Sequence, residues 1–186
     1  MKAAAELAVL GGPPLFAEPL HVGRPNVPDA DAVIKRIRRC LNRGWLTNDG
    51  PLVRELEAEL AKYLGVQHCV VMANGTAAME VLARALELRG EVIVPAFTFI
   101  ATPHAFSWLG LDVVFCDVDA RSHTMDVADA ERRITDRTAA IAPVHLWGSA
   151  CDVGALAHLA DRHQLPVIYD AAHALGASVG PTRVGS

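Results

Sequence analysis

The sequence has no concentrated positive charge. Its 17 lysines and arginines are outnumbered by 21 acidic residues, giving a formal net charge of -4, whereas a nucleic-acid footprint needs a basic face. The densest basic run, Lys35-Arg36-Ile37-Arg38-Arg39, falls on a helical period and reads as a solvated face. Cysteine is sparse too: Cys40, Cys69, Cys116 and Cys151 stand far apart with no CxxC pair. Thiols so placed, two of them (Cys69 and Cys116) within predicted strands, are those of reduced, buried residues in a cytosolic protein. No apolar run reaches the roughly 20 residues of a membrane span. The Met1 start carries neither the basic segment nor the apolar core of a signal peptide. These absences predict a soluble cytoplasmic protein with neither nucleic acid nor membrane as partner. A dinucleotide site is excluded as well, because Met72-Ala73-Asn74-Gly75 does not supply GxGxxG after the first predicted strand. Gly176, Gly180 and Gly185 follow a late strand at the wrong spacing. His158 and His163 are five apart, so on a helix they occupy different faces, and no metal site is expected.

What is present is the composition of a folded domain: 186 residues, 52% apolar and 20% charged, enough for one hydrophobic core. Residues 1–30 carry Gly11-Gly12-Pro13-Pro14, Pro19, Pro25 and Pro28, a density that forbids regular helix beyond the first few positions. They read as an irregular N-terminal arm. A helix starting at Asp29 or Asp31 runs to about Asn42 through Val33, Ile34, Ile37 and Leu41. The loop GWLTNDGP (44–51) follows, then a helix over Leu52–Leu64 stopped by Gly65. From there strands at His68–Met72, Glu91–Pro95, Asp112–Asp117, Ala139–Val144 and Val167–Tyr169 alternate with helices at Thr76–Leu88, Ile100–Leu109, Val127–Ile134 and Val153–Gln164. Several strands are unbroken apolar runs, as a sheet covered on both faces requires. The fold class is therefore α/β, a mostly parallel sheet with helices on both faces.

Chemistry gathers at the carboxyl ends of these strands, where open α/β sheets bind ligands. Asn74-Gly75-Thr76 opens a helix, and a helix N-terminus with free N–H groups is an anion site; the plainer reading is that Asn74 merely caps it. Phe97 and Phe99 follow the next strand and are either an aromatic plate or core. His145 closes a third strand, either as a site residue or as a satisfied histidine under a loop. In PVIYDAAH (166–173), Val167-Ile168-Tyr169 delivers Asp170 to the sheet edge with His173 three residues on. Asp170 then either meets a ligand or caps a helix beginning near Ala171. Four successive strand ends thus offer a phosphate cradle, an aromatic plate, a histidine and an Asp/His pair. That set suits a phosphorylated, flat, nitrogen-bearing ring.

The segments ANGTAAME, VPAFTFIATPHA, VVFCDVD, PVHLWGSACD and PVIYDAAHALGA, together with GWLTNDGP, resemble the DegT/DnrJ/EryC1/StrS family of sugar aminotransferases from about Gly23 to the last residue. The resemblance implies the large domain of the aspartate-aminotransferase fold (PLP fold type I) over residues 31–186, with pyridoxal 5'-phosphate (PLP) as cofactor. It implies that Gly75 and Thr76 hold the phosphate, Phe99 stacks on the pyridine ring, and Asp170 pairs with the ring nitrogen. His173 would reach the ring oxygen, and Asp170 and His173 are the catalytic candidates. Trp45, Thr47 and His145 are candidates for contact with substrate. A nucleotide-linked keto-sugar is the implied acceptor, glutamate or glutamine the implied amino donor, and a two-fold dimer sharing its active site the implied assembly.

One departure stands out. The family's Schiff-base lysine lies downstream of DAAHALGA, whereas the only lysines here are Lys2, Lys35 and Lys62. The second phosphate-binding group and the small C-terminal domain are missing too. The expectation is an incomplete large domain, the N-terminal part of a longer enzyme and inactive alone. Two alternatives stand beside it: a PLP-dependent sugar dehydratase of the same family, with histidine in place of the lysine, and a non-catalytic truncated relative acting as a partner subunit.

Overall fold

The computed structural model describes residues 4–21, 23, 26–27 and 29–186; Lys2, Pro25 and Pro28 lie outside the described residues. The chain divides into two compact units, Met1–Asn48 and Asp49–Ser186. In the first, two 3-10 turns, Ala4–Glu6 and Ala8–Leu10, precede a stretch without regular structure among the described residues. Helix α1 (Ala30–Arg43) begins where Asp29 accepts the Ala32 N–H and ends on Gly44 in the left-handed region. Its apolar positions fall as predicted, yet Val33, Ile34, Ile37 and Leu41 are all exposed.

The second unit is built on a parallel sheet. Its strands β1 (Glu91–Pro95), β2 (Asp112–Cys116) and β3 (Thr138–Ile141) lie in the order β2-β1-β3. Helices α2 (Pro51–Leu64) and α3 (Gly75–Ala85) precede β1. Helices α4 (Ala101–Ser107), α5 (Val127–Arg132) and α6 (Val153–His163) follow in chain order. The pleat sends alternate side chains to opposite faces. Val92, Val94, Ala140 and Ala142 pack with Met79, Ala83 and Phe106 of α3 and α4 on one face. Ile93 and Ile141 pack with Ala130, Leu156 and Leu159 of α5 and α6 on the other. Both faces are covered, as the unbroken apolar strands predicted. Gly90 (φ 102°) turns the chain into β1, and a Cβ there would meet the Arg137 carbonyl oxygen at 2.3 Å, so no other residue fits without a shift.

Two predicted strands behave differently from the rest. Residues 167–170 run parallel beside β3 through bridges Ile141↔Val167 and Val144↔Asp170. The Ile141 N–H donates to Pro166 O (3.1 Å) and the His145 N–H to Asp170 O (2.9 Å). The bond between them belongs to residue 143, a proline with no N–H, so the ladder is interrupted and the run forms no continuous strand. His68–Met72, predicted as a strand, is not one. A strand is defined by a neighbour's backbone, and here the Val71 N–H is taken instead by Glu57 Oε1 (2.9 Å), with Val70 exposed. Cys69 is accordingly half-buried, outside any strand, while Cys116 and Cys151 are buried; all four cysteines are unpaired. A short hairpin, β4 (Ser178–Val179) with β5 (Thr182–Arg183), was not foreseen. Its Arg183 packs over the Tyr63 ring (3.8 Å) and donates to the Tyr63 carbonyl of α2. Among the described residues, no helix is long and apolar enough to cross a membrane.

Candidate active site

A cavity of about 250 Å³ opens at the carboxyl ends of β1, β3 and the 167–170 run. Its wall joins the predicted residues Gly75, Thr76, Phe99, His145, Asp170 and His173. Six residues, from the first turn of α3, the segments after β1 and β3, and the 167–170 run with the turn after it, thus converge on one space.

At one end lies the first turn of α3. Asn74 accepts the Ala77 N–H through its side chain (2.9 Å), and its carbonyl accepts the Ala78 N–H (3.1 Å). The cap therefore leaves the Gly75 and Thr76 N–H groups as first-turn donors that the helix itself cannot satisfy. A Cβ built on Gly75 would meet nothing within 4 Å, so this terminus faces open space and not packed protein. Capping and anion binding are compatible here, because they use different N–H groups.

At the other end lies Asp170. No helix begins at Ala171; residues 171–177 form turns, which removes the helix-cap reading. Asp170 Oδ1 accepts the Ala172 N–H (3.1 Å), while Oδ2 accepts the Thr102 hydroxyl at 2.7 Å. Thr102 is fully buried at the start of α4 and lies 3.0 Å from the Thr98 hydroxyl. Pro103 follows it in the first turn, where a missing N–H costs nothing.

His145 is 3% exposed. Its Nδ1 accepts the Cys151 N–H at 3.0 Å, so the neutral ring carries its proton on Nε2. The ring stacks on Tyr169, centroids 4.9 Å apart and nearly coplanar in tilt (6°). Burial pushes its pKa below the usual histidine value, with the Asp170 charge opposing that shift. The histidine is hydrogen-bonded at Nδ1 and is also part of the cavity wall. The neighbouring Cys151 thiol donates to Val144 O (3.0 Å), and burial pushes it up to about 11; Cys116 is pushed up to about 12. Thiols so displaced are inert packing groups.

The two aromatics after β1 part company. Phe99 stands 69% exposed in the cavity wall, so it is not core. Phe97 turns away to an edge-on contact with Trp147 (5.5 Å) and His123 (6.3 Å). His173 is exposed on the cavity wall. Trp45 and Thr47 belong to the other compact unit, where the Trp45 indole N–H donates to Asn48 O (3.3 Å). Sequence reasoning missed Thr98, Thr102 and Tyr169. The available signal was two hydroxyls four residues apart in TFIAT, directly after a buried strand.

The family model of the DegT/DnrJ/EryC1/StrS aminotransferases matches residues 29–186. The chain is 40% identical over 157 residues to a dTDP-4-amino-4,6-dideoxy-D-glucose transaminase of Escherichia coli, covering 84% of this chain and 42% of that one. Among solved structures, DesI in the presence of its TDP-sugar product superposes with a TM-score of 0.89 at 46% identity, covering 99% of this chain and 47% of that one. The PLP form of Spr1654 from Streptococcus pneumoniae superposes with a TM-score of 0.81 at 31% identity, covering 87% and 45% respectively. This chain thus spans less than half the length of each. With its covered parallel sheet and its strand-end cavity, it belongs to the DegT/DnrJ/EryC1/StrS aminotransferase family.

Proposed function

We propose that residues 31–186 form the partial large domain of a PLP-dependent aminotransferase, one that moves an amino group from glutamate or glutamine to a nucleotide-linked keto-sugar. The observation that carries this is a single cavity with unsatisfied helix N–H donors at one end and a fixed carboxylate at the other. A phosphate suits the first turn of α3, where the helix dipole and the Gly75 and Thr76 N–H groups favour negative charge. The open space over Gly75 is what an approaching phosphate requires. Asp170 presents its carboxylate to a protonated ring nitrogen and holds that proton in place. Phe99 offers a face for the ring, and His173 stands on the wall to meet a ring oxygen. His145 supports this wall from below as a neutral ring against Tyr169. When bound, PLP supplies an electron sink for the carbon that loses its proton.

The acceptor, the donor and the use of Trp45 and Thr47 against substrate are part of the same proposal. So are cytoplasmic location and a two-fold dimer. The kinship with proteins named as sugar-nucleotide transaminases supports the substrate class. The test is the amino-transfer half-reaction with glutamate in the complete protein, comparing wild type with Asp170→Asn. Asparagine keeps an acceptor for the Ala172 N–H but loses the charge. Losing about 3–4 kcal/mol of electrostatic stabilisation slows the step some hundreds-fold. A variant with near-normal rate would sink the assignment of Asp170.

A further inference from the structure

The hydroxyls of Thr102 and Thr98 make a chain that ends on Asp170, and its direction is fixed by elementary bonding. A carboxylate only accepts, so at 2.7 Å from Asp170 Oδ2 the Thr102 hydroxyl is the donor. Its one hydrogen is then spent, and at 3.0 Å the Thr98 hydroxyl must donate to Thr102. Thr98 has in turn spent its hydrogen and, on the cavity wall, keeps only lone pairs for a ligand. Thr102 is fully buried, where an unmade hydrogen bond is costly and a fully made one holds a single geometry. The second carboxylate oxygen is held independently by the Ala172 N–H (3.1 Å). Asp170 is thus clamped at one oxygen by a residue 68 positions earlier in the chain and at the other by a near neighbour, which sets the plane in which its remaining lone pairs face the cavity.

We infer that Thr102, with Thr98 behind it, is a positioning residue that sets the orientation of the Asp170 carboxylate toward the cofactor ring. A corollary is that Thr98 meets the ligand as a hydrogen-bond acceptor. The inference rests on the cofactor reading above. It explains why a threonine, and not an apolar residue of its size, fills a fully buried position on the inner side of α4.

The test separates hydroxyl from volume. Valine matches threonine in shape without the hydroxyl; serine keeps the hydroxyl and loses the methyl. In the complete protein, binding of pyridoxamine 5'-phosphate (PMP) is measured by calorimetry, with the visible absorption of the PLP-bound protein and the melting temperature alongside. For Thr102→Val we expect about tenfold weaker PMP binding and an altered absorption band, the scale of one charge-assisted hydrogen bond. Thr102→Ser is expected to keep wild-type affinity and band while melting lower, because of the cavity it leaves. Thr98→Val leaves the bond from Thr102 to Asp170 in place and is expected to show a smaller loss. If Thr102→Val does not fold, Thr102→Ala against Thr102→Ser carries the same contrast. Thr102→Val binding PMP as wild type does, or Thr102→Ser losing as much affinity as Thr102→Val, would overturn the relay alone. Wild-type protein that binds no PMP would overturn the cofactor reading and the relay with it.

Discussion

The two ends of the cavity are built in opposite ways. Around Asp170 four hydrogen bonds are made within the protein: Thr102 and Ala172 on the carboxylate, Thr98 on Thr102, Cys151 on His145. At the first turn of α3 the cap takes the Ala77 N–H, yet the Gly75 and Thr76 N–H groups have no intrahelical acceptor and there is open space over Gly75. On the proposed function, the ring end is organised before any ligand arrives, whereas the phosphate end is left for the ligand to complete. The proposed cofactor accounts for the difference. A ring nitrogen offers one donor of fixed direction and gains from a preset acceptor plane. A phosphate accepts from any direction and needs only donors and positive potential.

Gly75→Asp breaks this contrast most severely. The position has room for a side chain and sits in the first helical turn, where a carboxylate favours the helix by about 0.3–1 kcal/mol. The same charge repels a phosphate. Stability and PMP affinity should therefore move in opposite directions, the affinity by at least about tenfold; melting curves and calorimetry on one preparation show both. If affinity survived, the terminus would be only a capped helix end.

Much of this site was legible in the sequence because buried parallel strands read as unbroken apolar runs, and the residue that ends such a run lies at the sheet's functional edge. Asp170, His145 and Phe99 were found in that way. Thr102 was not, since its meaning depends on Asp170, 68 residues further on. Pattern alone also misjudged His68–Met72, because a β-favouring run becomes a strand only beside another backbone, and Glu57 is what meets it. Nor could it tell that the residues after Asp170 form turns and not a helix, since an aspartate that accepts the N–H two residues on is found at helix starts and in turns alike. The interrupted ladder beside β3 traces to one residue, Pro143, whose lack of a donor was readable but whose neighbour was not.

The smallest expected effect concerns His145 and sharpens the description of the ring end. Its folded pKa lies below the ordinary histidine value because of burial, so the unfolded chain binds the proton more readily. The stabilisation is fully present above the unfolded value and is lost as pH falls through the ordinary histidine range toward the lowered folded one. His145→Asn should flatten that part of the pH dependence of the melting temperature, a change of about 2–4 °C for each kcal/mol. A wild-type curve no steeper there than the variant's would mean that His145 is not held neutral by its surroundings.

The most direct measurement compares PMP with pyridoxamine, which has the same ring and no phosphate, on wild type and on Asp170→Asn. If one cavity holds the phosphate at α3 and the ring at Asp170, removing the phosphate should weaken binding by orders of magnitude. Asp170→Asn should then weaken both ligands by the same factor, about tenfold, since distant independent contacts add. Equal binding of PMP and pyridoxamine, or an affinity for both that Asp170→Asn leaves unchanged, would contradict the two-ended site.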